Sequence, residues 1–288
     1  MGRYACRQEI VFRRSVAHSV LLALVWPCLA LAQESYPTGR RAWLVNPMEK
    51  ARNMTRHFGV LIPSTNTTVE TELARLPAAY QAHFARLMTS TPGRPFAPSR
   101  DDDIDYQARL LGTARVEMVI LIQTSASLFA DNYDETTTQR MSAAAGVPAI
   151  TSAQAMGRSL RALGARRIGL VSPYSEEVNA RARRYFSGKH GLEIAVLEGF
   201  AATESYAIGQ LGPENARDAF ARIDRPQIDA FAVPGANFPT MASIAAWERE
   251  FNKPVVTSTQ ASVWAMARQL GGNHIPGFGR LLDLMPAG

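Results

Sequence analysis

Val119-Ile120-Leu121-Ile122-Gln123-Thr124-Ser125 is an apolar run that stops abruptly in three polar residues. Four consecutive β-branched or leucine residues read as a strand buried on both faces, the kind found in a parallel sheet. The polar triplet then falls at the strand's carboxyl end, where open α/β sheets place their ligands. Gln123, Thr124 and Ser125 offer one amide, two hydroxyls and three backbone N–H groups there. These are neutral donors suited to a carboxylate, or to an enolate forming from one. From this stretch alone, a turn in which Thr124 or Ser125 merely caps the next helix reads equally well.

The chain contains the arrangement twice. Pro148 to Ala155 reads PAITSAQA and Pro254 to Ala261 reads PVVTSTQA, each followed by a helical stretch ending in Leu-Gly, at Leu163-Gly164 and Leu270-Gly271. Upstream, Gly59-Val60-Leu61-Ile62-Pro63-Ser64 has a counterpart in Gly169-Leu170-Val171-Ser172-Pro173-Tyr174. Gln123-Thr124-Ser125 matches Gly235-Ala236-Asn237, each about 65 residues beyond its glycine. Three motifs in one order at similar spacing argue for a duplicated lobe. The expected fold is therefore α/β, two pseudo-symmetric Rossmann-like lobes with parallel sheets and one interlobe cleft. The expected organisation is 57–165 with 254–288 as the first lobe and 166–253 as the second, with crossing of the C-terminal segment to the other lobe left open.

The 288 residues suffice for one large or two moderate domains with real cores. Hydrophobic residues at 47% and charged residues at 19% are a globular balance that argues against disorder. The net charge is +6, but Arg3, Arg7, Arg13 and Arg14 against Glu9 place half of it in the first 32 residues. Basic residues beyond are scattered, which excludes a nucleic-acid stripe. Residues 1–32 read as a signal peptide, with Arg13-Arg14 before the apolar run Val20–Trp26 and Ala30-Leu31-Ala32 as a cleavage site. On that reading the protein is periplasmic or secreted, with no stable membrane span after signal removal. The competing reading is cytoplasmic, with translation starting at Met48 or Met54. Residues 33–56 read as a linker or arm. Both cysteines, Cys6 and Cys28, lie within the first 32 residues, so a chain processed there has no thiol.

Along the chain, Phe58–Ile62 reads as the first strand, and Pro63-Ser64-Thr65-Asn66-Thr67-Thr68 runs into a helix near Val69. A hydroxyl-rich loop there either offers N–H groups to an anion or simply caps the helix. Asp101-Asp102-Asp103 reads as the acidic first turn of a helix rather than a metal cluster. Asp131, Asn132 and Tyr133 follow the central strand closely enough to rim a site. Tyr174 is placed to project a phenol into the cleft, or to sit half-buried on its turn. The loop Thr203-Glu204-Ser205-Tyr206 precedes the mirror strand Ile228–Val233, which ends in Pro234-Gly235-Ala236-Asn237. Gly235 would admit a ligand close to the backbone, and Asn237 would donate to it. The sequence has no Gly-rich phosphate loop, Rossmann glycine pattern or His-Glu-x-x-His helix, and all five histidines fall outside the repeat motifs.

From Ile62-Pro63-Ser64-Thr65-Asn66-Thr67-Thr68 through Gln123-Thr124-Ser125, Leu163–Arg167, Pro173-Tyr174, Pro254–Trp264 and Pro276–Arg280, the sequence resembles one branch of the aspartate/glutamate racemase superfamily. It is the branch of maleate isomerases and arylmalonate decarboxylases, and the similarity spans about Gly59 to Leu282. The resemblance implies two pseudo-symmetric lobes around one site, and chemistry on a small carboxylate with neither metal nor organic cofactor. It implies a dioxyanion hole at Thr124 and Ser125, carboxylate binding by Tyr174, and a carboxylate grip by Asn66. The family's working cysteines fall on Gln123 and Gly235 here, so neither thiol is present.

Two functions follow. One is a cofactor-independent lyase or isomerase passing through an enediolate, with Tyr174, Tyr133, or a water on Gln123 or Asn237 as proton donor. A hydratase or eliminase would use the same cleft. The other is a non-catalytic carboxylate-binding protein. The candidate site comprises Tyr174, Thr124, Ser125 and Gln123 for chemistry. Pro63, Ser64, Asn66, Gly235, Ala236, Asn237, Tyr133 and Ser205 would contact the ligand. The expected partner is a small carboxylate, and a homo-oligomer is compatible with the sequence.

Overall fold

The computed structural model describes residues 55–89 and 96–286. The segment read as a signal, Met48, Met54 and all of the arm before Thr55 lie outside the described residues. The first half contains β1 (Arg56–Pro63), α1 (Val69–Leu73), β2 (Tyr80–Leu87), α2 (Asp101–Thr113), β3 (Val119–Leu121), α3 (Tyr133–Ala145), β4 (Ala149–Thr151) and α4 (Ser152–Ala162). Its strands form a parallel sheet of order β2-β1-β3-β4. The second half has β5 (Arg167–Ser172), α5 (Glu176–His190), β6 (Glu193–Gly199), α6 (Ser205–Gly209), α7 (Pro213–Ile223), β7 (Ala230–Val233), α8 (Ile244–Phe251), β8 (Val255–Thr257), α9 (Ser258–Gln269) and α10 (Arg280–Asp283). Its order, β6-β5-β7-β8, repeats the first, so the duplication read from the motifs is present in the topology.

The strand order fixes where function can sit. From β1 the chain moves to β2 on one side, then crosses back to β3 on the other. The carboxyl ends of β1 and β3, and likewise of β5 and β7, therefore flank a switch point, where connections diverge and leave a crevice. Burial on both faces follows the alternation of the strands. Val60, Ile62, Ile120 and Ile122 join the main core, which also holds Leu170, Phe231 and Val256 of the second lobe. Leu61, Val119 and Leu121 face the other way, onto Ile104, Leu111 and Met141 of α2 and α3.

Two expectations need correction. Val255–Thr257 pairs with Ala230–Val233 in the second sheet, so this strand belongs to the second lobe and not with 57–165. Its helix α9 then packs on α4, the equivalent helix of the first lobe. Tyr133 is buried in the α2/α3 core, on the face of the first sheet away from the second lobe. Asp101–Asp103 form the first turn of α2, as expected, with Asp101 paired to Arg140.

Polar side chains stitch the lobes together. Asp134, at the start of α3, accepts hydrogen bonds from Thr151 Oγ1 at 2.7 Å and from the Tyr185 hydroxyl of α5 at 2.5 Å. Glu72 of α1 is 6% exposed, and its Oε1 accepts the N–H groups of Thr240 and Met241 at 2.6 and 2.8 Å. Its Oε2 lies toward the Thr259 hydroxyl, and neither atom has a hydrogen-bond partner among the described residues. A protonated Glu72 would donate to Thr259, satisfying both.

Burial raises the Glu72 pKa, although the accepted hydrogen bonds oppose the shift. The folded chain thus holds this proton more tightly than the unfolded chain. The contribution is full below the ordinary carboxylate range and is lost as pH rises through the raised folded value. Glu72→Gln keeps the acceptor and supplies a permanent donor, so it should gain stability relative to the parent between about pH 4 and about pH 7. Urea unfolding at both pH values checks this. Glu72→Ala leaves two buried N–H groups unpaired and should cost about 2–4 kcal/mol.

Candidate active site

Two strand ends supply the site. After β3 the chain turns through Gln123, Thr124 and Ser125, which are 5, 2 and 5% exposed. After β7 it turns through Gly235, Ala236 and Asn237, also buried. None of the backbone N–H groups of these six residues makes a hydrogen bond among the described residues. Buried segments rarely leave backbone donors unpaired, so two such groups at the switch points mark a place for an electron-rich ligand.

Tyr174, from the turn after β5, joins the two ends. Its hydroxyl lies near Ser125, and a Cβ built on Gly235 would stand 3.4 Å from that hydroxyl. The ring is fixed from several sides. Its backbone N–H donates to Ser172 Oγ at 3.2 Å, Asn179 Nδ2 donates to its carbonyl at 3.0 Å, and the Phe96 ring lies 5.2 Å away. Burial holds the phenol's pKa well above its ordinary value, only partly offset by the Ser125 contact. Tyr174 therefore stays a neutral O–H donor throughout the physiological range.

Thr124 meets two serines. Its Oγ1 lies 2.9 Å from Ser152 Oγ and donates to Ser258 Oγ at 2.8 Å. Ser152 and Ser258 open α4 and α9, after the Thr151 and Thr257 caps. Gln154 and Gln260 reach back to accept the N–H groups of those caps. These serines lie inside the two TSxQ repeats visible in the sequence, where they read as lobe landmarks only.

The remaining predicted residues divide by what their polar atoms already do. Gln123 is a strut: Nε2 donates to the Ala97 carbonyl at 3.0 Å, and Oε1 accepts Ser99 Oγ at 3.0 Å. It holds the segment that carries Phe96 and does not present a free amide. Asn237 is a bolt, with Oδ1 accepting the Thr67 N–H at 2.8 Å and Nδ2 donating to the Ser205 carbonyl at 2.7 Å. Ser205 enters through that carbonyl. Asn66 turns its Oδ1 to the N–H groups of Thr68 and Val69 at 3.0 and 2.9 Å, which leaves Nδ2 unengaged among the described residues.

The same bonds overturn the idea of an anion cradle in the 63–68 loop. The N–H groups of Ser64, Asn66, Thr67 and Thr68 are all occupied. Ser64 is exposed, its hydroxyl 3.4 Å from Thr89, and Pro63 ends β1 beside Leu87. Tyr133 has no place in this cleft, because its ring fills the opposite core.

Gly235 is required by its own geometry. Its φ is +91°, and a Cβ there would lie 2.6 Å from Pro173 Cγ. Any side chain at this position is both strained and obstructed.

Two parallel α/β lobes with unengaged neutral donors at paired switch points define a two-lobed α/β class of protein with a place for an electron-rich ligand at the strand ends. Comparison with known proteins then fixes the class. The chain belongs to the arylmalonate decarboxylase family, whose model matches residues 59–282. That places it in the maleate isomerase and arylmalonate decarboxylase branch of the aspartate/glutamate racemase superfamily. The arylmalonate decarboxylase of Bordetella bronchiseptica is 30% identical over 186 residues, covering 61% of this chain and 75% of that one. The maleate isomerase of Pseudomonas putida is 26% identical over 242 residues, 78% of this chain and 96% of that one. A solved maleate cis-trans isomerase of Nocardia farcinica, a cysteine-to-serine variant, holds a covalently bound succinylcysteine intermediate. It superposes with a TM-score of 0.68 at 23% identity, over 79% of this chain and 98% of that one.

Gly235→Ala should cost about 1–3 kcal/mol through the forced left-handed backbone, before any clash with Pro173 is counted. A thermal unfolding midpoint well below the parent's checks this. Gly235→Ala combined with Pro173→Ala should recover part of the loss.

Proposed function

We propose that this chain is a cofactor-independent decarboxylase acting on a malonate-type dicarboxylic acid, and that it works without a cysteine. The observation that supports it is the meeting of Ser125, the Tyr174 hydroxyl and Gly235 beside two sets of unengaged backbone donors. No cysteine follows Cys28, and the two strand ends carry Gln123 and Gly235.

In this reading one substrate carboxylate lies on Thr124, Ser125 and the N–H groups of residues 123–125. The other loses CO₂: the carbon–carbon bond breaks, and its electron pair enters the retained carboxylate as an enediolate. The negative charge grows where preorganised dipoles already point, so the site stabilises the transition state more than the substrate. Tyr174 then gives its proton to the α-carbon and is reprotonated from water. A phenol with a raised pKa is a weak acid toward ordinary bases, but an enediolate carbon is far more basic than phenolate. The upward shift also keeps Tyr174 protonated when the solution becomes alkaline.

The chain from Gln33 onward, mixed with phenylmalonate and other small mono- and dicarboxylates in D₂O, is followed by NMR. The expected result is CO₂ loss with one deuterium at the α-carbon. Thr124→Ala and Tyr174→Phe should each lower kcat by about 10²–10³-fold. The parent's kcat should hold steady as pH passes about 10, the ordinary tyrosine value. A carboxylate that raises the unfolding midpoint yet returns unchanged and undeuterated would mean a binding protein instead.

A further inference from the structure

The duplication supplies two equivalent serines, and both serve one hydroxyl. Ser152 and Ser258 occupy the same position of the repeated TSxQ motif, one per lobe. Strict pseudo-symmetry would send Ser152 to the residue after Gln123 and Ser258 to the residue after Gly235. Those residues are Thr124 and Ala236, and Ala236 has no hydroxyl. Ser258 instead crosses to Thr124, 2.8 Å away, while Ser152 sits 2.9 Å away on the same oxygen. All three hydroxyl residues are at most 2% exposed.

A threonine hydroxyl has one proton and two lone pairs. In the structure that proton is given to Ser258, whose own proton goes on to Met156 Sδ at 3.3 Å. Thr124 thus has no proton left for the cleft. An anion arriving there needs one, and the network can release it by reversing a single bond. Ser258 turns from Met156 to donate to Thr124, and Thr124 turns its proton to the anion. The exchange gives up only a hydrogen bond to a thioether, a weak acceptor. Once reversed, Thr124 accepts from both serines while donating outward, and two accepted bonds polarise its O–H further.

We infer that Ser258, with Ser152, is a positioning residue for Thr124, setting that hydroxyl as an oxyanion donor when ligand binds. This rests on Thr124 facing the ligand, as in the function proposed above. Ser258 does not touch the substrate and acts through Thr124 alone.

A double-mutant cycle on the full chain tests it. Ser258→Ala should lower kcat for phenylmalonate about tenfold, the size of one hydrogen bond, with KM little changed. In a Thr124→Ala background the same substitution should have no effect. Ser152→Ala, approaching the hydroxyl from the other side, should behave the same way, and unfolding midpoints monitor the fold of every variant. An equal loss in both backgrounds would show a purely structural serine and overturn the inference. So would a rise in kcat, which would mean that Ser258 competes with the ligand for the proton. If the parent does not decarboxylate phenylmalonate, the cycle is read on the calorimetric Kd for malonate. Weaker binding from Ser258→Ala only where Thr124 is present upholds the inference independently of the decarboxylase reading. An equal or absent effect refutes it.

Discussion

A strand buried on both faces can show polarity only where it ends, and this constraint governs the whole molecule. β1, β3, β5 and β7 run as central strands, with neighbours on both edges and apolar side chains above and below. Every donor available to a ligand is thereby pushed to the carboxyl ends. The repeated strand order brings two such ends to a crevice in each lobe, and Asn237, Glu72 and Asp134 hold the lobes in register through buried hydrogen bonds. The site is what remains where those bonds stop: backbone donors with no acceptor among the described residues.

Much of this was legible in the residues themselves. The run Val119–Ile122 announced a doubly buried strand because its apolar residues are continuous rather than alternating. The three repeated motifs gave the two-lobe organisation and located both switch points. The sequence could not say which polar atoms were already spent. Gln123 and Asn237 look like free amides in a linear reading, and only their contacts with Ala97, Ser99, Thr67 and Ser205 show them to be struts. Tyr133 follows the central strand closely in sequence, yet the chain carries it to the far side of the sheet. Chain proximity is a poor guide when a strand end can turn to either face. The serines of the TSxQ repeats were in plain view, but their convergence on Thr124 depends on α4 and α9 packing together, which no local pattern encodes.

The two strand-end positions that open the site are themselves tied into local packing. At Gly235 the backbone is left-handed and Pro173 occupies the space of a side chain, while the Tyr174 hydroxyl stands beside it. At Gln123 the side chain is committed to holding the segment that carries Phe96 against Tyr174. Both residues are thus fixed by their surroundings and leave no cavity of their own.

The duplicated fold is symmetric in backbone and asymmetric in chemistry. The turn after β5 carries Tyr174, whereas its counterpart after β1 carries Ser64, exposed and turned toward Thr89. In the reaction proposed above, a planar enediolate between the lobes would meet the Tyr174 O–H on one face and no phenol at the equivalent position on the other. The two sides of the cleft are chemically inequivalent although the scaffold relates them by a pseudo-two-fold axis. A substrate with two different substituents on its central carbon would leave such a cleft with a single handedness.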